Sequence, residues 1–159
     1  MKITIVAVGK VREKFIKEGI KEYTKRLTRF CNIEIIEVQD EQVPNNISIV
    51  QEELIKRKEG ERILKRIRSS SILIALDMKG TKLNSEAFAE KLDQYTISGN
   101  PHITFIIGGS IGLDDEIIRM ANLQLSLSDM TFPHQLVRVI LLEQIYRSFK
   151  IIKGETYHK

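Results

Sequence analysis

Short apolar runs of strand length alternate with longer amphipathic stretches along the whole chain. Ile3–Val8, Ile33–Val38, Ile72–Leu76 and Ile103–Ile107 are rich in β-branched residues and read as strands, with Leu123–Leu127 a weaker fifth. Between the first two, Ile16, Ile20, Tyr23, Leu27 and Phe30 recur at steps of four and three, which makes one helical stripe. Ser48 to Arg68 predicts a largely polar helix with a break at Gly60. Ser85 predicts the cap of a third helix, with Phe88, Leu92 and Tyr95 toward the core and an end near Gly99-Asn100-Pro101. Asp114-Asp115-Glu116 place negative charge on the first turn of a fourth, where the macrodipole favours it. Pro133 fits the first turn of a final helix running to about Phe149. Strictly alternating strands and helices predict an α/β fold, a mostly parallel sheet with helices on both faces, built as one domain over residues 1–159.

The final helix departs from the amphipathic rule. Leu136, Val137, Val139, Ile140, Leu141, Leu142, Ile145, Tyr146 and Phe149 cover nearly its whole circumference, with Arg138, Glu143 and Arg147 among the interruptions. A helix apolar all round must be covered on all sides. In a chain of 18.3 kDa the expected cover is a second copy, a symmetric homodimer seam.

Composition adds bounds. No apolar run approaches the length needed to span a bilayer. The apolar N-terminal stretch runs into Lys10-Val11-Arg12-Glu13-Lys14, which no signal peptide would do. Cys31 is the single cysteine, so no internal disulfide forms and a cytoplasmic protein is expected. The net charge is +4, but it clusters. Lys10, Arg12, Lys14, Lys17, Lys21, Lys25, Arg26 and Arg29 face three glutamates in one stretch, and Lys56 to Arg68 holds seven basic residues against two acidic ones. Such stretches are solvated helix faces or a phosphate-binding surface.

In open parallel sheets, ligands bind beyond the C-terminal strand ends. Three such ends carry suggestive loops: Asp77-Met78-Lys79-Gly80, Gly108-Gly109-Ser110-Ile111-Gly112, and Leu127-Ser128-Asp129-Met130-Thr131-Phe132 before Pro133. The glycine loop matches neither the dinucleotide fingerprint nor a P-loop, since Ser110 stands where a glycine is needed and no Gly-Lys-Ser/Thr follows. His102, His134 and His158 lack metal-ligand spacing and read as surface or capping residues, so no metal is expected. Cys31 has no recognisable catalytic partner. The end of the chain, Tyr157-His158-Lys159, puts a phenol, an imidazole and a cation side by side. From these residues alone, a nucleotide-dependent enzyme and a non-catalytic binding module that uses the basic faces both stay open.

Taken together, Gly108-Gly109-Ser110-Ile111-Gly112, the run from Leu125 to Arg138, Glu143-Gln144-Ile145-Tyr146-Arg147, Glu59-Gly60-Glu61 and the terminal Tyr157-His158-Lys159 resemble the ribosomal large-subunit pseudouridine methyltransferases of the SPOUT superfamily. The resemblance covers essentially the whole chain. It implies an α/β fold with a C-terminal trefoil knot, a homodimer, and S-adenosylmethionine as methyl donor without a metal. By motif position it implies that Leu76, Gly108, Leu127, Ser128, Asp129, Met130, Thr131 and Phe132 bind that cofactor. The implied substrate is N3 of a pseudouridine in the helix 69 loop of 23S rRNA, in the assembled ribosome. Chemistry then assigns three residues to the transfer. Arg147 would stabilise the developing anion, His158 would accept a proton, and Tyr157 would stack on the base or hydrogen-bond its edge.

Overall fold

The computed structural model describes residues 1–158. Five strands form one sheet: β1 (Lys2–Val8), β2 (Asn32–Val38), β3 (Ile72–Lys82), β4 (His102–Ile107) and β5 (Leu123–Ser126). Its order is β2-β1-β4-β3-β5, and every pairing is parallel. The helices are α1 (Lys14–Leu27), α2 (Ile49–Leu64), α3 (Ser85–Ile97), α4 (Asp115–Met120) and α5 (His134–Ile152).

The period of two in each strand divides the core. Ile3, Ile5, Ala7, Ile74, Ile103, Phe105 and Ile107 pack with Leu27, Phe88, Leu92, Leu141, Leu142 and Ile145, which places α1, α3 and α5 on one face. Val6, Val8, Leu73, Ala75 and Ile106 point the other way, against Ile63 of α2 and Ile117 of α4. Both faces are therefore covered, and the strands read as continuous apolar runs for that reason.

Three sequence expectations shift. Gly60 does not break α2: the helix runs on, and a side chain there would put Cβ 3.0 Å from Asp114 Cβ. This glycine lets α2 approach the start of α4. Ser48 and Gln51 close α2 with a reciprocal capping box. Asn84, not Ser85, caps α3 by accepting from the Ala87 N–H, which frees the Ser85 hydroxyl to bond Gln144 of α5 at 2.7 Å. Pro133 sits at the cap of α5, one position before its first turn, and the helix continues to Ile152.

α1 and α5 pack side by side in the same direction. Gly19 meets Val139, with an added Cβ 3.2 Å from its Cγ1, while Phe30 stacks on Phe149 with centroids 5.4 Å apart. Leu141, Leu142, Ile145 and Phe149 are buried in the chain's own core. Leu136, Val139 and Ile140 on the same helix remain half-buried. Among the described residues, no helix is long and apolar enough to cross a membrane.

Candidate functional site

β3 continues past the point where the sequence places a loop. Its ladder with β5 shifts register between Leu76 and Thr81, so Asp77–Gly80 bulge out of an unbroken strand. Gly80 is required where the bulge returns, because a Cβ there would lie 2.6 Å from the backbone of Gln124. The other two ligand-type loops follow β4 and β5. All three converge on one cavity of about 750 Å³.

Leu76, Gly108, Leu127, Ser128, Met130, Thr131 and Phe132 all line that cavity. Asp129 does not: its carboxylate is exposed and pairs with Lys82. The bulge and the last loop meet where the Thr131 hydroxyl donates to Met78 Sδ at 3.7 Å. The glycine loop is pinned by the Gly112 N–H to the Gly109 carbonyl at 3.2 Å, with Gly112 at φ +92°. A Cβ on Gly108 would sit 2.9 Å from the Gly112 carbonyl carbon. Leu76, Ile107, Leu125, Leu127 and Val137 supply apolar wall, while loop backbone and Ser128 and Thr131 hydroxyls supply polar contacts. Such a lining suits a flat heteroaromatic ring joined to a polar, charged arm.

Residues that sequence reasoning passed over hold this cavity in place. Arg138 is 1% exposed. It donates to Glu37 at 2.6 Å and to the carbonyls of Val8 and Gly9 at 3.1 and 2.7 Å, bolting the end of β1 to α5. His134 is half-buried and lines the cavity. Burial, and then the Arg138 cation, push its pKa down against the opposing pull of Asp40. It stays neutral near neutrality. The signals were present in the sequence, a charge inside an apolar helix and a histidine at its start, but neither names a partner. Cys31 is buried and its thiol is pushed up to about 11 by desolvation, which removes it as a nucleophile.

The second constellation lies farther along α5. Arg147 donates to Glu143 Oε1 from Nε at 3.0 Å and Nη2 at 2.6 Å, and its guanidinium lies 4.8 Å over the Tyr157 ring. The Tyr157 hydroxyl donates to the same Glu143 oxygen at 3.2 Å, and Gln144 donates to the other at 2.7 Å. Burial and the neighbouring Tyr23 and Glu143 push the phenol up to about 12, so Tyr157 is a proton donor and not a base. His158 places Nδ1 3.2 Å from Arg147 Nη1 and Nε2 2.7 Å from Glu86 Oε1. Both ring nitrogens are engaged, which fixes the proton on Nε2 and turns the lone pair toward Arg147. Lys159 lies outside the described residues.

Arg147, Tyr157 and His158 are thus brought together, but not onto their own chain's cavity. Val137 is the last α5 residue lining it, and Arg147 is ten residues on, about 15 Å along the axis. Of the two basic stretches, Lys56, Lys58 and Arg62 are paired with Glu52 and Glu41. Lys17, Lys21 and Lys25 stand exposed along one face of α1.

Comparison with known proteins decides the family. A family model described as "Predicted SPOUT methyltransferase" matches residues 1–158. The chain is a SPOUT methyltransferase. Proteins named ribosomal RNA large subunit methyltransferase H from Acetivibrio thermocellus and Ruminiclostridium cellulolyticum are each 58% identical to it over 159 residues, covering both chains completely. A solved structure of a probable methylase family protein from Haemophilus influenzae Rd KW20 superposes with a TM-score of 0.57 at 15% identity. That match covers 99% of this chain and 70% of that one, and at such identity it bears on the fold alone.

Proposed function

We propose that this protein transfers the methyl group of S-adenosylmethionine to N3 of a pseudouridine in the helix 69 loop of 23S rRNA, in the assembled ribosome. The observation that carries the reading is the convergence of the bulge of β3, the glycine loop and the 127–132 loop on one cavity of about 750 Å³. The name carried by relatives at 58% identity supports the choice of ribosomal RNA. S-adenosylmethionine supplies an electrophilic methyl group on a sulfonium cation. The chain's part is to orient the donor against the acceptor, and the cavity residues Leu76, Gly108, Leu127, Ser128, Met130, Thr131 and Phe132 take that role. Asp129, paired with Lys82, is left out of it.

The acceptor nitrogen carries an imide proton. Arg147 beside the base lowers the cost of losing it, by about 1.4 kcal/mol for each pH unit of pKa lowering. His158 takes the proton on Nδ1 once that nitrogen turns from Arg147 to the base, and Tyr157 stacks on or hydrogen-bonds the base. The 15 Å between Arg147 and its own cavity is bridged by a second protomer in a homodimer, seated on the half-buried face of α5 at Leu136, Val139 and Ile140. The exposed lysines of α1 contact rRNA phosphates, which position the enzyme without reading sequence. Such an enzyme acts in the cytoplasm, as a single catalytic domain over residues 1–159, and needs no metal.

The test is radiolabelled methyl incorporation into assembled ribosomes, separated subunits and naked 23S rRNA. Label confined to ribosomes, at one pseudouridine, is the expected result. Equal labelling of naked rRNA would sink the ribosome requirement. Calorimetric titration with S-adenosylmethionine, NAD and ATP checks the donor.

A further inference from the structure

Glu59 lies in the middle of α2 and is 4% exposed. Its Oε2 accepts the Glu41 N–H at 3.0 Å, but Oε1 is fully buried with no hydrogen-bond partner. Buried acceptors without donors are rare because their lost hydration is uncompensated. What lies against this carboxyl is the cofactor loop itself. A Cβ built on Gly109 would stand 3.1 Å from Oε1 and 3.3 Å from Oε2, so only the missing side chain lets backbone and carboxyl meet. One helical position on, Gly60 lets Asp114, at the far end of the same loop, press onto α2. α2 is therefore the platform on which the glycine loop rests, and Glu59 is its one polar group there left open.

We propose that Glu59 is a positioning residue of the cofactor cavity, its Oε1 accepting a backbone N–H of the 108–112 loop when S-adenosylmethionine enters and the loop settles. This rests on reading the cavity as the methyl donor's site. The consequence is linkage. Burial, ahead of the Glu41 N–H and its neighbours' charges, holds the carboxyl above its ordinary range before binding. A new N–H donor favours the carboxylate, so binding lowers that value and expels a proton. The facing groups are Asp40 and Glu41 of the β2–α2 connection, Arg62 one turn along α2, Lys58 through its pair with Glu41, and Asp114 beside Gly60. Across the loop, β1 presents the apolar Val8.

The experiment is calorimetric titration of S-adenosylmethionine into the full chain and its Glu59→Gln variant, from about pH 5 to about pH 8, in two buffers of different ionisation enthalpy. Glutamine keeps the shape and the acceptor for the Glu41 N–H, but it cannot ionise. Wild-type affinity should rise with pH, tenfold for each pH unit by which binding lowers the carboxyl's pKa. Proton release should be visible as buffer-dependent heat. The variant should match wild type at the acid end, bind about tenfold more weakly at neutrality, and retain only the proton linkage of His134, which both proteins share. A platform role without ionisation would shift affinity equally at every pH. Superimposable profiles, or a wild type that releases no proton anywhere in the range, overturn the proposal while the cavity reading stands. A wild type that binds no S-adenosylmethionine overturns both.

Discussion

The cavity and the tail cluster are built from different materials. The cavity is backbone and apolar side chain: glycines at 80 and 108 where a Cβ would press on backbone within 3.0 Å, walls of leucine and isoleucine, and one fully buried arginine behind them. The tail cluster is almost all charge, with Arg147 and Tyr157 converging on one oxygen of Glu143 and His158 held by Glu86. Those groups are half-buried, open enough to solvent on one side that screening weakens each contact. The difference separates two tasks. On the function proposed above, a donor common to many enzymes is held by rigid backbone, whereas the chemistry of one acceptor is entrusted to side chains that can move when the acceptor arrives.

Deleting residues 157–159 gives the sharpest break of that comparison. Methyl transfer to ribosomes should fall by at least about a hundredfold, the scale of losing a preorganised electrostatic contact. S-adenosylmethionine affinity should hardly change, because neither Tyr157 nor His158 lines the cavity. Filter-bound radiolabel and calorimetry measure the two. Loss of both together would mean that the tail also shapes the donor site.

Gly108→Val attacks the other region. Its Cβ would press to 2.9 Å from Gly112 and push the loop inward, so S-adenosylmethionine affinity should drop about ten- to hundredfold, the usual cost of overpacking. Circular dichroism should report an unchanged helix content, since the strain falls on a loop. Normal affinity in the folded variant would remove this loop from the site.

How much of this was legible beforehand follows the physics. Periodicity located every strand and helix, because burial on both faces writes long apolar runs into the chain. It misplaced the end of β3, since a bulge is set by a neighbour, here Gln124 against Gly80, and not by the strand's own pattern. It read Gly60 as a helix break when a packing partner, Asp114, explains it. The three loops were visible as motifs, but the partnership of Arg138 with Glu37 joins residues 101 positions apart, and Glu59 meets Gly109 from far along the chain as well. Sequence spacing is silent at that range.

The proposed face between protomers lies between the two regions and can be tested by contrast on one helix. A glutamate at Ile140, which is half-buried, should shift the dimer toward monomers in sedimentation by about ten- to hundredfold in dissociation constant, with the fold kept. A glutamate at Leu141 should instead unfold the protein, because that side chain is 0% exposed in its own core. The all-round apolar pattern treated both positions alike. If both variants give the same outcome, α5 has no separate seam.

The smallest effect separates ring from hydroxyl within the tail. Tyr157→Phe keeps the ring on which Arg147 lies at 4.8 Å and removes the bond to Glu143. Glu143 retains its donors Arg147 and Gln144, so no buried acceptor is abandoned. The loss should be that of one ordinary hydrogen bond, about 1 kcal/mol, or about fivefold in transfer rate. Tyr157→Ala, which also removes the stacking surface, should approach the truncation. The phenol titrates near about 12, so the alkaline side of the rate profile should be the same with phenylalanine as with tyrosine. A profile that changes with the hydroxyl would mean the phenol itself takes up or gives a proton during transfer. An equal loss in the phenylalanine and alanine variants would make the hydroxyl, not the ring, what the tail brings to the base.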